Sequence, residues 1–317
     1  MAVTTPLDKY LREIHDARFK EFEQEVVRRQ ALFDRAKKFE QSRDKRRREF
    51  LKGTGVDLAK FDGEQDKELK LQEQELKTYL DEFVPKAAAR PVLQAADSKD
   101  AALRVGALGE AKHTLVHPYA TTLFASDKAV LKGISGVTGD GAINSGWVFP
   151  DEAGKIHVKS SAHCPVACFL ACAGPPSVEF AVHFTFTPAT TANYEMTAVL
   201  AFHGFYILRS DDSWYNCRNA KVKLTVSMNA HQYVDIGWKG FPALIDRDED
   251  NDEEVTTYDL TRFFDYTTVL KAGDPVVVTV KGTLDTSARG GGAYAELNFE
   301  AGTANYIEPL FLSVQQV

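Results

Sequence analysis

Between residues 6 and 52 the chain carries a narrow apolar stripe at helical spacing, on a background dominated by Lys, Arg, Glu and Gln. The stripe begins Leu7, Tyr10, Leu11 and Ile14 and continues through Phe19, Phe22, Val26, Phe33 and Ala36. Steps of three and four are the period of an α-helix. Thr5 is placed to cap it, Pro6 suits its first position and Asp8 favours the positive end of its dipole. The pattern stops at Phe50-Leu51-Lys52-Gly53, with Gly53 as the expected terminating glycine. A helix of that length reaches ~70 Å. So narrow a stripe cannot hold it alone, and the expectation is burial on a second helix, on other copies of the chain, or on both.

The second helix is predicted over residues 64–84, with Leu69, Leu76, Tyr79, Leu80 and Phe83 as its stripe and Pro85 as its end. The first stripe drifts between Ile14 and Phe19 and again beyond Ala36, so the pair reads as a helical hairpin or broken coiled coil, not a regular zipper. Residues 1–85 are thus read as a charged helical arm. Residues 86–115 are Ala-rich with scattered Pro and Gly and read as a connector, with a short helix around residues 101–108.

Residues 116–317 are read as a β domain, in which the pattern changes to a period of two from about residue 143. Val178, Phe180, Val182, Phe184 and Phe186 share one strand face, and residues 221–228 place apolar side chains on even positions and polar ones on odd. Further strands are predicted over 196–208, 275–284, 293–299 and 307–314, with turns at Gly174-Pro175-Pro176, Gly273-Asp274-Pro275 and Gly290-Gly291-Gly292. About ten such strands, with no helices between them, predict an antiparallel β-sandwich of jelly-roll type. The fold class is α+β by segregation, the helices first and the strands after. A helical stem followed by a sandwich is similar in layout to trimeric stalk-and-head proteins such as the C1q and tumour-necrosis-factor families and viral fibre heads. The likeness is architectural and no motif residue carries it.

Charge separates the two parts. Residues 1–90 hold 21 Lys+Arg against 19 Asp+Glu, whereas residues 91–317 hold 17 against 26. An acidic β part argues against a nucleic-acid partner. The run Arg43-Asp44-Lys45-Arg46-Arg47-Arg48 reads as a solvated helix end, with nuclear targeting or nucleic-acid contact as the alternative. No apolar run is long enough for a membrane-spanning helix. The first residues lack the basic start and apolar stretch of a signal peptide, so the expectation is cytoplasmic synthesis, with release by a non-classical route as the alternative.

Three constellations have chemistry to offer. Cys164, Cys168 and Cys172 would lie on one strand face, too widely spaced to share a metal ion, and read as small core residues; a disulfide from one of them to Cys217 is the alternative. Asp246, Asp248, Asp250 and Asp252 alternate like the start of an EF-hand calcium loop, but position twelve is Thr257 and no helices flank the segment. The plainer reading is an acidic surface loop, and no cofactor is required, with calcium the one candidate. Asp211, Asp212, Trp214, Tyr215 and Asn216 form an aromatic and polar segment, joined by His203, Tyr233 and Trp238, of the kind that holds a sugar: a flat apolar platform beside hydrogen-bonding acceptors. The plainer reading places the rings in the core.

No HExxH helix, G-x-S-x-G elbow or phosphate-binding glycine loop is present. The sequence therefore predicts a non-enzymatic oligomer, a homo-oligomer through the arm, whose β head binds a protein or glycan. The alternatives are a membrane-active toxin-like protein and a sandwich-fold glycan hydrolase with paired carboxylates.

Overall fold

The computed structural model describes residues 6–89, 114–117, 132–134, 143–148, 153–164, 177–210, 219–250, 252–290 and 292–317. Helix α1 spans Pro6–Gly53 and helix α2 spans Leu58–Ala88. Between them the terminating glycine is Gly55, not Gly53. Its φ of +86° lies in the left-handed region, which lets its N–H reach the Lys52 carbonyl (3.1 Å) and the Val56 N–H reach Leu51 (3.1 Å). Asp57 then caps α2 by accepting from the N–H groups of Ala59 (3.0 Å) and Lys60 (3.2 Å). This cap starts α2 earlier than the sequence predicts and carries it through Gly63. Pro85 does not end the helix either. It sits one turn inside, where its missing N–H forfeits one bond, and the Ala89 N–H still closes on its carbonyl at 2.9 Å.

Thirteen strands are formed among the described residues, in two sheets. Sheet 1 contains β1 (Thr114–Val116), β4 (Val158–His163), β6 (Ala192–Arg209), β10 (Glu253–Leu270), β12 (Tyr294–Phe299) and β13 (Tyr306–Gln316). Sheet 2 contains β2 (Lys132–Ile134), β3 (Ile143–Val148), β5 (Ser177–Phe186), β7 (Asn219–Gln232), β8 (Val234–Gly240), β9 (Ile245–Glu249) and β11 (Val276–Arg289). The pairings are antiparallel except β3 with β5, which run parallel. Strand β6 is the spine of sheet 1. It pairs with β10 along one side and is shared by β13 and β12 along the other.

The predicted alternation holds. Val178, Phe180, Val182 and Phe184 of β5, with Val222, Leu224, Val226 and Met228 of β7, enter one hydrophobic cluster with Met196, Leu200, Phe202 and Leu208 of β6. The two sheets thus share a single core. Part of each outer face is also covered by the arm, which the sequence did not indicate. The first turns of α1 lie on sheet 2, where Leu7, Tyr10, Leu11 and Ile14 pack on Val277 of β11. The last turns of α2 lie on sheet 1, where Leu76, Tyr79, Leu80, Phe83, Val84 and Ala87 pack with Phe205, Ile207 and Tyr294.

Among the described residues, the buried apolar side chains of the arm pack on the sheets and not one helix along the other. The helices meet near their junction, where Arg48 makes a bidentate ion pair with Asp62 (2.8–3.2 Å), and diverge to opposite sheets. Between these anchor points every described side chain from Val27 to Arg43 is exposed.

Candidate functional site

From its anchor on Val277, α1 continues along β11 and leaves a gap beneath Arg18 and Phe22. This is a cavity of about 440 Å³ lined by Arg18, Glu21, Phe22 and Glu25 of α1 and by Glu179, Thr225, Trp238, Lys281, Thr283 and Asp285 of sheet 2. Its floor follows from strand register. Glu179 of β5 is opposite Thr283 of β11, and Thr283 is opposite Thr225 of β7, so the three side chains form a row on the outer face. Lys281 and Asp285 stand two residues either side of Thr283 and share that face.

The wall is the β7–β8 hairpin. Tyr233 supplies its turn with φ +69°, in the left-handed region, and Gly237 a second departure at φ +123°. The hairpin presents Trp238 to α1. The Arg18 guanidinium lies 4.8 Å from the indole centroid and the Lys281 ammonium 5.1 Å from it. Arg18 is buried and is held by an ion pair to Asp235 and another to Glu21 at 3.0 Å. Lys281 approaches Glu179 at 3.4 Å. Beside the cavity the Tyr10 hydroxyl accepts the Tyr233 N–H at 3.3 Å, and burial raises the Tyr10 pKa above its ordinary value of 10.0. The cavity thus offers four carboxylates, two hydroxyls, two cations and an indole. It is suited to hydrogen-bonding a polar ligand, and no Ser, Cys or His is among its described lining residues.

The predicted site residues fall in different places. Asp211, Asp212, Trp214, Tyr215 and Asn216 lie outside the described residues. Their expected companions are divided between the sheets. Trp238 lines the cavity and Tyr233 stands beside it, both exposed rather than filling the core. His203 is on the outer face of sheet 1, bonded through Nδ1 to Asp259 at 2.9 Å and packed 4.9 Å from the Tyr306 ring. The lining residues Glu179, Lys281, Thr283 and Asp285 were not singled out from sequence. The signal was present, since each occupies a polar outward position in an alternating strand.

The acidic run is not a loop over its whole length. Asp246 and Asp248 belong to β9, which pairs with β7 so that they stand opposite Lys223 and Lys221. Lys223 hydrogen-bonds Asp246 (2.9 Å) and lowers its pKa, and Lys221 lies 3.6 Å from both acids. Charge neutralisation across the strand pair explains why so acidic a segment forms a strand. Asp250 is exposed, and Asp252 accepts the Glu253 N–H at 2.7 Å. No group of three or more His, Cys, Asp or Glu is gathered for a metal among the described residues. Cys164 is buried beside Ala162, Ala288 and Ala293, as a small core residue would be, and it is also disulfide-bonded, a pairing the sequence reading did not favour. The other three cysteines lie outside the described residues.

Among the described residues no helix is long and apolar enough to cross a membrane. No family model and no curated protein matches the chain. Among solved structures it is similar to an isomalto-dextranase of Arthrobacter globiformis complexed with panose, at 14% identity over 37% of this chain and 16% of that one, with a TM-score of 0.17. It is also similar to the Eiger TNF of S. frugiperda at 12% identity, covering 54% of this chain and 89% of that one, with a TM-score of 0.20. A third similar structure is TmCBM61 in complex with β-1,4-galactotriose, at 7% identity, covering 53% and 85%, with a TM-score of 0.19. The chain spans less than a fifth of the isomalto-dextranase, and at such TM-scores these likenesses carry no argument about fold or function.

Proposed function

We propose that this chain is a non-enzymatic, self-assembling binding protein. Its two sheets act as a β-sandwich head that takes a glycan, or a polar segment of a protein, in the cavity beneath α1. The projecting part of the arm joins copies. One observation carries the recognition part: a cavity of about 440 Å³ in which Trp238 stands beside Thr225, Thr283 and charged groups of both signs. That volume falls within the ~300–1,000 Å³ of small-molecule sites. Sugar hydroxyls both donate and accept, so a lining that mixes carboxylates, cations and hydroxyls can pair each of them.

Titration calorimetry of the full chain against a panel of neutral and acidic oligosaccharides tests this. Binding is expected, and Trp238→Ala should weaken it at least tenfold with the circular dichroism unchanged. An absence of binding across the panel removes the glycan reading. Hydrolysis is the second reading, favoured by Glu179 and Asp285 lining the same cavity. Release of reducing ends that Glu179→Gln abolishes would replace binding by catalysis.

The assembly part is supported by the arm's exposed apolar side chains, Val27, Leu32, Phe39 and Phe50 on α1 and Leu71 on α2, each between 53% and 69% exposed. Light scattering should give a multimer that Leu32→Glu/Phe39→Glu/Phe50→Glu converts to a monomer. An unchanged mass in that triple variant rules out assembly through the arm.

A further inference from the structure

The surface that the projecting arm fits is itself readable, granted that the arm assembles copies at all. Leu32, Phe39 and Phe50 are separated by seven and eleven residues, close to whole numbers of helical turns, so they form one row on α1. Among the described residues the row has no cover, and the described side chains around it are exposed from Val27 to Arg43. Two identical α1 rows are poor partners for each other. Residues 28–52 hold eleven Lys and Arg against four Asp and Glu, so two copies side by side would bring like charge together along their whole length.

The projecting part of α2 has the opposite balance. Residues 58–74, ahead of the Glu75 contact with Arg209, hold five Asp and Glu against three Lys, and Leu71 is exposed among them. Among the described residues these complementary stretches do not cover each other within one chain, because α1 and α2 diverge to opposite sheets from their junction at Arg48 and Asp62. We infer that the basic stretch of α1 in one copy packs against the acidic stretch of α2 in a second copy. The same contact is repeated in reverse, so two open arms interlock into a four-helix, two-fold symmetric dimer. The arrangement is self-complementary, as a two-fold interface must be. It covers the Leu32 row and Leu71 together and places each positive stretch on a negative one. An uncovered helix with aromatic and aliphatic side chains in its row favours a protein surface over a phosphate backbone, which gives Phe39 and Phe50 nothing to pack on.

Charge exchange tests this on the full chain. One variant, Arg35→Glu/Lys38→Glu/Arg43→Glu, makes α1 acidic like α2. A second, Glu64→Lys/Asp66→Lys/Glu73→Lys, makes α2 basic like α1. All six positions are exposed, so folding is not at stake, and circular dichroism confirms it. By light scattering the wild type should be a dimer whose dissociation constant rises at least tenfold between 50 and 300 mM NaCl, roughly the range over which surface charge is screened out. Each variant alone should be a monomer, and an equimolar mixture should recover the dimer mass. If both variants alone stay as dimeric as the wild type, or the mixture stays monomeric, the α1–α2 interlock is wrong. If in that case Leu32→Glu/Phe39→Glu/Phe50→Glu still dissociates the wild-type assembly, assembly through the arm survives while its partner surface does not. A wild type that is monomeric throughout and retards duplex DNA would overturn the proposal and assign the basic stretch to nucleic acid.

Discussion

The two ends of the arm reach the head by different chemistry. The seat of α2 on sheet 1 is dense and apolar. The Phe83 ring meets Phe205 edge-on at 5.8 Å and stacks with Tyr79 at 6.2 Å. The backbone joins the fit. Gly302 holds φ +72°, and a Cβ there would stand 2.5 Å from the Ala88 carbonyl oxygen, so the last turn of α2 lies against the β12–β13 turn. The seat of α1 on sheet 2 is apolar only at its start. Beyond Ile14 it becomes a hollow bridged by Arg18. Burial of apolar area holds α2 as part of the head's own layering, whereas α1 is docked by a short apolar foot and a polar strut. The difference puts the cavity under the helix with the smaller apolar seat.

The sharpest way to break this comparison is Phe205→Ala. Phe205 is fully buried between α2 and sheet 1, and losing a buried ring of this kind costs about 3–5 kcal/mol. The expected outcome in urea is a lower midpoint for the whole β domain, with helix and sheet signals lost together. A head that melts as before while α2 alone frays would make the two seats equivalent.

Leu11→Ala probes the other side. Leu11 is also fully buried, but its seat opens towards the cavity and can close around the loss, so about 2–3 kcal/mol is expected. The cost should appear locally. Trypsin should cut within residues 9–29 faster than in the wild type while the head's melting temperature moves little. Cooperative loss of the head would show α1 to be as integral as α2.

Arg18→Met has a smaller expected effect. Its aliphatic stem is replaced by a similar one, and Asp235 keeps His231 at 2.9 Å and Asn229 at 3.4 Å. Asp235 is also partly exposed, so its charge is not stranded, and the cost should be about 1 kcal/mol, well below that of a stranded buried partner. Removing the guanidinium from above Trp238 should change the indole emission at pH 7. Unchanged emission would mean that the strut does not rest on the indole in solution.

These contrasts were only partly legible beforehand. The alternation in β5, β7 and β11 reads directly because inward positions are aliphatic or aromatic. The stripe Leu7, Tyr10, Leu11, Ile14 also reads as a helix face needing cover. Its partner does not, because Val277 is far away in sequence and looks like any other valine of a strand. Strand β10 is not legible in the sequence because its acidic start resembles a loop until Arg209 of β6 stands opposite Glu253 and pairs with it at 2.6 Å. The cavity is not legible in the sequence because Glu179 and Asp285 are brought together only by the β5–β11 register. Pro85 misled because the rule that proline ends a helix concerns the helix alone, and here the last turn is held by what it packs on.

Alkaline titration distinguishes the seats most finely. Tyr10 belongs to the α1 seat and Tyr79 to the α2 seat, and burial is the first cause that raises the pKa of each above the ordinary 10.0. A raised pKa means that the folded state holds the phenol proton more tightly than the unfolded chain does. The stabilisation is therefore complete below pH 10 and is lost as pH rises through the folded value. Tyr10 also accepts the Tyr233 N–H, which favours the phenolate and offsets part of the burial effect, so its contribution is small. Tyr10→Phe should cost less than about 1 kcal/mol at pH 7, the worth of one neutral hydrogen bond. Between pH 10 and 11 the wild type should expose residues 9–29 to a protease active at that pH sooner than it loses the head's circular dichroism, and Tyr10→Phe should suppress that early exposure. If the arm and head loosen together in both proteins, the phenol proton is not what holds the foot of α1, and the docked helix is bound by apolar contact alone.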